Sequence, residues 1–214
     1  MISVYQLKPK FQKLLRPIVK KLYSLNITAN QVTISAMLLS MIIGFIVWYF
    51  SYNSFIYLIL PVFLFIRMAL NAIDGILAKE FGQKSKLGGV LNELGDIYSD
   101  TAIFLGLWNI VSNHFVFILL IVFSIISETA GILGAVVGNA RRYDGPMGKS
   151  DRAFIISCLS ILFAFNIIDE KIINIIFIII IILLNYTIFN RIKNCLKESD
   201  WYVITMCHWL YFRK

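Results

Sequence analysis

Cysteine and histidine are nearly missing from this chain, with three of one and two of the other in 214 residues. Cys158, Cys195 and Cys207 are odd in number and have no metal-ligand spacing, so neither a disulfide framework nor a zinc site is expected. His114 falls at a turn and His208 near the C-terminal end, and neither has other ligands for company. Charge is scarce as well, at 15% Asp, Glu, Lys and Arg, and acidic residues are scarcest, 12 against 20 basic. With so little charge, 59% hydrophobic residues and a mean hydropathy of +0.78, the chain holds more apolar surface than a soluble domain of this length can bury. The composition is that of an integral membrane protein.

Apolar runs of spanning length can be drawn at 33–51, 55–78, 88–110, 115–140, 153–168 and 172–190, the fifth being short. No connection between them is long enough for a second folded domain. The expected fold class is therefore an all-α integral membrane protein, six transmembrane helices preceded by an interfacial amphipathic helix. Its divisions are residues 1–24 for the interfacial helix, 25–191 for the membrane domain and 192–214 for a C-terminal tail, whose aromatics from Trp201 onward suit the same interface.

Orientation follows from the basic residues. Eighteen of the 20 Lys and Arg fall in the N-terminal segment, the 79–87 loop, the 141–152 loop and the C-terminal segment, leaving Arg67 inside a helix and Lys171 on the opposite side. The positive-inside rule then puts both termini of a multi-pass membrane protein in the cytoplasm. The net charge of +8 reads as topology plus attraction to the lipid bilayer, with no nucleic acid needed.

The first 24 residues lack both an unbroken apolar core and a small-residue cleavage site, so a cleaved signal peptide is not expected. Val4, Leu7, Phe11, Leu14, Leu15, Ile18 and Leu22 recur at helical spacing, with Lys8, Lys13, Arg16 and Lys20 on other faces. That pattern is an interfacial helix, which Pro9 and Pro17 are expected to bend or break.

Against this apolar background six ionisable residues sit inside the runs: Arg67, Asp74, Glu93, Asp96, Asp100 and Glu128. Left unpaired they would cost on the order of 15 to 20 kcal/mol, so a use is expected for them. Taking 1.5 Å per residue from the cytoplasmic ends, Asp74 and Glu93 lie roughly 7 Å in, Asn92 roughly 6 Å, and Asn71 and Asp96 roughly 12 Å. Arg67, Asn71 and Asp74 share one face of their helix, as Asn92, Glu93, Asp96 and Asp100 do of theirs. The simplest packing has the two polar stripes facing each other across a cavity open to the cytoplasm. Oxygen ligands gathered this way suit Mg²⁺ or Mn²⁺, as one or two ions. The bland alternative is a polar network that only locks helices together, and the excess of carboxylates over cations argues against it.

Asn71-x-x-Asp74-Gly75-x-x-Ala78-Lys79, then eight residues, then Gly88-x-x-x-Asn92-x-x-x-Asp96 resembles the signature of the CDP-alcohol phosphatidyltransferases, which has Asp, Asp, Gly, Ala, Arg, Gly, Asp and Asp at those places. All the spacings match, and the stretch Ile27 to Thr33 also looks like the family's approach to its first helix. Lys79 departs from arginine, keeping charge without the bidentate fork, and Asn71 and Asn92 depart from two aspartates that the family uses as metal ligands. Within the family the chain resembles an enterobacterial inner-membrane branch with the same two asparagines.

The resemblance implies transfer of a phosphatidyl-type group from a CDP-linked lipid such as CDP-diacylglycerol to a hydroxyl acceptor, releasing CMP. It implies that Asp74, Asn71 and Asn92 hold metal, with Glu93 and Asp96 as further ligands, and that Asp96 is the general base. It also implies that Gly75, Ala78, Lys79 and Gly88 lie against the nucleotide, although each small residue alone is better explained by helix packing. Arg141, Arg142, Lys149 and Arg152 would bind a phosphorylated acceptor, unless they serve only as the positive-inside signal.

Farther in, Arg67, Asp100 and Glu128 share a depth of roughly 18 to 20 Å, which suggests a layer of structural pairing. Gly131, Gly134 and Gly138 form a small-residue face for close helix packing, and the resemblance implies a homodimer. Two rivals remain: a family member that kept the fold and lost catalysis, and a small transporter. The apolar outer halves of the helices speak against the transporter.

Overall fold

The computed structural model of the chain describes the backbone of residues 4–138 and 140–211 and the side chains of residues 11–138 and 140–197. Regular structure among them is helical: α1 (Val4–Ser24), α2 (Ala29–Tyr49), α3 (Ile59–Glu80), α4 (Lys86–Gly106), α5 (His114–Val137), α6 (Lys149–Ala164) and α7 (Glu170–Tyr211), with short 3-10 turns at Ser54–Leu58 and Trp108–Ile110.

Six helices follow α1, near the places read from hydropathy, but six crossings are more than they show. Among the described residues four stretches are long and apolar enough to cross a membrane: Ala29–Tyr49, Ser54–Glu80, His114–Val137 and Glu170–Lys197. α4 falls outside that set because Lys86, Glu93, Asp96 and Asp100 interrupt it. α6 has 16 residues and rises about 24 Å, short of a hydrocarbon core of about 30 Å. It stops where Asn166 takes a left-handed φ of 56° and the Ile167 N–H turns back to the Leu162 carbonyl at 2.9 Å. No break occurs at 192, since α7 continues for 42 residues. The side chains of Trp201, Cys207 and His208, and those of Val4, Leu7, Lys8 and Pro9, lie outside the described residues.

The chain divides into two compact units, one running to Leu107 and including Phe163–Phe165, the other made of Trp108–Leu162 and the chain from Asn166. In the first, α1 is one continuous helix despite its prolines. Pro17 is exposed, so the carbonyl that loses its partner at Lys13 faces outward where water can satisfy it. Leu15 and Val19 are buried against Ile73, Ile76 and Leu77 of α3 and Ala29 and Val32 of α2. Removing those two side chains from water contributes about 1.5 to 3 kcal/mol each. Leu14 and Ile18 stay exposed, as an interfacial helix requires. Asn26, at φ 58°, ends the helix: Ile27 N–H bonds Leu22 at 3.0 Å and Asn26 N–H bonds Tyr23 at 2.9 Å.

α2 opens on a capping box, Thr28 accepting from Gln31 N–H while the Gln31 side chain accepts from Thr28 N–H. It then packs along both α3 and α4. Gly44 and Gly106 bring α2 and α4 together: a Cβ on Gly106 would lie 2.9 Å from the Gly44 carbonyl oxygen, so both must be small.

In the second unit α5 and α7 pack closely. Ile173, Phe177, Ile180 and Leu184 form the buried stripe of α7, and Phe177 stacks on Phe117 with ring centroids 5.7 Å apart. The loop before α6 folds back on α5, its Arg142 N–H bonding the Gly131 carbonyl at 3.0 Å. Gly145 (φ 111°) lies against Thr187, whose hydroxyl accepts from Met147 N–H at 3.2 Å.

Candidate active site

α3 and α4 carry the signature positions, and both lie in the first unit. Asp74 is 6% exposed and Asp96 8%, while Asn71, Asn92 and Glu93 are half-buried. α3 and α4 make little direct backbone contact, because each packs on α2. Thr33 of α2 donates to Asp74 Oδ2 at 2.8 Å. Arg67 is what joins the two stripes: its Nη1 donates to Asp100 Oδ1 at 2.5 Å, and its Nη2 donates to the Asp96 carbonyl at 3.3 Å and lies 3.7 Å from Asp96 Oδ1.

Asp74, Glu93 and Asp96 were expected to converge with the two asparagines on a metal. Among the described residues no group of three or more His, Cys, Asp or Glu converges in that way. Asp74 bonds Thr33 of α2, and the Asp96 carboxylate lies beside Arg67. What is present still fits a hard divalent cation in kind: buried carboxylates and carboxamides, oxygen donors throughout.

The small residues of the signature separate into two kinds. A Cβ on Gly88 would lie 2.7 Å from Asn30 Oδ1 and 3.0 Å from Ser85 Oγ, and Ala78 packs against the core beneath α1, so helix packing explains both. A Cβ on Gly75 would meet nothing within 4 Å. No neighbour demands glycine there, which leaves open space beside Asp74. Lys79 is exposed near the end of α3.

The second unit holds the other charged cluster. Glu128 was placed in a layer with Arg67 and Asp100; its partners are Arg152 Nη2 at 2.8 Å, Arg141 Nη2 at 2.9 Å and Arg191 Nη1 at 3.8 Å. These partners reach it because the loop after α5 returns along that helix and delivers Arg141 to the level of Glu128. The glycine face expected to meet another helix receives that loop as well as α7, a Cβ on Gly138 lying 3.6 Å from the Cys195 carbonyl oxygen. A Cβ on Gly131 would lie 2.8 Å from the Arg142 carbonyl oxygen and 3.2 Å from Arg191 Nη1; one on Gly134 would lie 3.0 Å from the Ala140 oxygen.

Arg142, grouped in the sequence with the phosphate-binding arginines, forks onto Asp144 at 2.8 and 3.3 Å. Those hydrogen bonds, more than the pair's Coulomb attraction, hold the Asp144 carboxyl below the usual carboxylate range. Lys149 begins α6. Sequence reasoning missed Arg191, counted only as a topology signal. It is 2% exposed, donates to the Ser127 carbonyl, and sits one turn beyond the buried Thr187, a spacing that marks a shared face. Thr33 was likewise passed over, although it closes the Ile27 to Thr33 stretch.

The geometry can be set beside known proteins. A family profile for CDP-alcohol phosphatidyltransferase matches residues 26–198. The chain is 40% identical over 199 residues to inner membrane protein YnbA of Escherichia coli (strain K12), covering 92% of this chain and 98% of that one. Over 102 residues it is 33% identical to archaetidylinositol phosphate synthase of Pyrococcus horikoshii, covering 48% and 52% of the two chains. Among solved structures it resembles Mycobacterium tuberculosis phosphatidylinositol phosphate synthase (PgsA1) with CDP-DAG bound, at TM-score 0.72 and 18% identity over 86% of this chain and 94% of that one. The same enzyme in complex with manganese and citrate gives a TM-score of 0.69 at 18% identity, over 84% and 88%. At that identity the likeness establishes a shared fold. The profile match and the nearly full-length relationship to the inner membrane protein go further: this chain belongs to the CDP-alcohol phosphatidyltransferase family.

Proposed function

We propose that the protein transfers a phosphatidyl-type group from a CDP-linked lipid, CDP-diacylglycerol or a close relative, to a hydroxyl acceptor and releases CMP. The observation that carries this reading is the placement of Asp74 and Asp96, both buried, on α3 and α4 of one unit at the family's spacing. The acceptor oxygen bonds to the lipid-side phosphorus, the pyrophosphate P–O bond breaks, CMP leaves with the bridging oxygen, and the acceptor proton passes to Asp96 as general base. Asp74, Asn71, Asn92, Glu93 and Asp96 would hold one or two Mg²⁺ or Mn²⁺ ions, which when bound supply positive charge against the donor pyrophosphate. Gly75 supports a nucleotide approach because the helix surface beside it is open; Lys79 adds a charge at the same end, with Ala78 and Gly88 keeping the backbone tightly packed.

The acceptor belongs to the phosphorylated class on this reading. Arg141, Arg152 and Arg191 gather around Glu128 in a mostly buried setting, and such a grouping of guanidinium groups is suited to an anion. Arg142 and Lys149 flank it in sequence. Six crossings with both termini in the cytoplasm complete the proposal, supported by the distribution of basic residues. A homodimer would use helix faces other than the one at Gly131 and Gly134. The test is CMP release from CDP-diacylglycerol by purified protein, against a panel of neutral and phosphorylated acceptors with Mg²⁺ or Mn²⁺. Release confined to phosphorylated acceptors is expected; no release with any acceptor would mean a noncatalytic member of the family.

A further inference from the structure

Arg67 stands four residues before Asn71 and outside the signature, yet its guanidinium lies against Asp96 and Asp100 of the α4 stripe. The way its donors are spent is informative. Nη1 bonds the Asp100 carboxylate, and Nη2 bonds the backbone carbonyl of Asp96, whereas the Asp96 carboxylate oxygen lies at 3.7 Å, inside ion-pair range and outside hydrogen-bond range. Arg67 therefore steadies the Asp96 backbone and sets a positive charge beside its carboxylate while taking no lone pair from it. Asp100, one helical turn beyond Asp96 on the same face, braces the far side of the fork. With Arg67 3% exposed and Asp96 8%, the arrangement is shielded from competing water.

We propose that Arg67 is a positioning residue for Asp96, with Asp100 as its brace, and that the pair sets how fast Asp96 acts and not how tightly the donor binds. This rests on the reading of Asp96 as the group that receives the acceptor proton. Only a planar fork can reach both the Asp100 carboxylate and the Asp96 carbonyl at once, so lysine restores the charge without the geometry.

The experiment measures kcat and KM for CDP-diacylglycerol in detergent-solubilised wild type, R67K, R67M, D100N, the R67M/D100N double variant and D96N, with the folded fraction of each determined by size exclusion. Misplacing a catalytic group by about 1 Å costs on the order of 100-fold in rate. R67M is expected to lose about that much in kcat with KM for the donor changed less than about threefold, R67K to fall between R67M and wild type, and D100N to lose about 10-fold. The double variant should be no slower than R67M, because Asp100 acts through Arg67. R67K and D100N change the buried charge least and keep the test meaningful if R67M fails to fold. Wild-type kcat in R67K or D100N, or a loss that tracks the folded fraction alone, overturns the proposal and leaves the transfer reading intact. Full activity in D96N, or no CMP release by wild type, removes the reading beneath it.

Discussion

Arg152 Nη2 donates to Glu128 Oε1 at 2.8 Å, with both side chains buried. Glu128 comes from the middle of α5 and Arg152 from the first turn of α6, and the carboxylate's second oxygen takes Arg141 from the loop between them. One acid thus ties a helix, a loop and the next helix together. Removing one partner of a buried ion pair costs about 3 to 5 kcal/mol, because the other is left buried and uncompensated. Glu128→Gln keeps the size and one acceptor oxygen, so a loss near the lower end, about 3 kcal/mol, is expected. Thermal unfolding of the detergent-solubilised variant checks it, and an unchanged Tm would show that the three arginines do not need the charge.

Asp74→Asn and Asp96→Asn should each reduce CMP release by at least about 100-fold, the lower end of what a positioned base contributes. Chelation by EDTA should stop release in the wild type, with Mg²⁺ or Mn²⁺ restoring it. Near-normal rates in either variant would remove the mechanism.

Gly75→Ala and Gly131→Ala should behave in opposite ways. At Gly75 a methyl meets nothing, so the fold should tolerate it and the helix should gain up to about 1 kcal/mol, while KM for the CDP-linked donor rises if the nucleotide passes there. At Gly131 the methyl would press on the Arg142 carbonyl, and about 1 to 3 kcal/mol of stability should be lost. Paired Tm and KM measurements separate the two, and a destabilised Gly75→Ala protein would contradict the open space beside Asp74.

Asp144 gives a pH dependence with a definite sign. Arg142 lowers its carboxyl below the ordinary 3.8, so the contribution to stability is present above that value and is lost as pH falls through the lowered one. Because the carboxylate is only partly buried, the effect is small and screened by salt. Asp144→Asn should therefore flatten the acid limb of the stability curve below about pH 4 without altering stability differences between pH 6 and 8. Acid titrations of both proteins, followed by unfolding, make the comparison.

Helix positions were legible along the chain because hydropathy and 3.6-residue periodicity are local: the runs that become α2, α3, α5 and α7 announce themselves by composition. So does the sharing of one face by Asn71 and Asp74, or by Asn92 and Asp96, since four residues or fewer separate them. The family signature was readable for the same reason, lying within one pair of neighbouring helices and their short loop.

Partner choice was not legible. Whether Glu128 meets Arg67 or Arg152 depends on the path of the loop after α5, which folds back because Gly131 and Gly134 leave it room, and no periodicity encodes that return. Arg191 joins Glu128 from 63 residues away, and Thr33 reaches Asp74 across 41, distances over which pattern within a single helix carries no information. The separation of α3 from α4 has the same origin: glycines at 44 and 106 let α2 seat closely on α4, so the polar stripes are joined through Arg67 and not by direct packing. Local chemistry chose the helices, and the close approaches between them chose which charges meet.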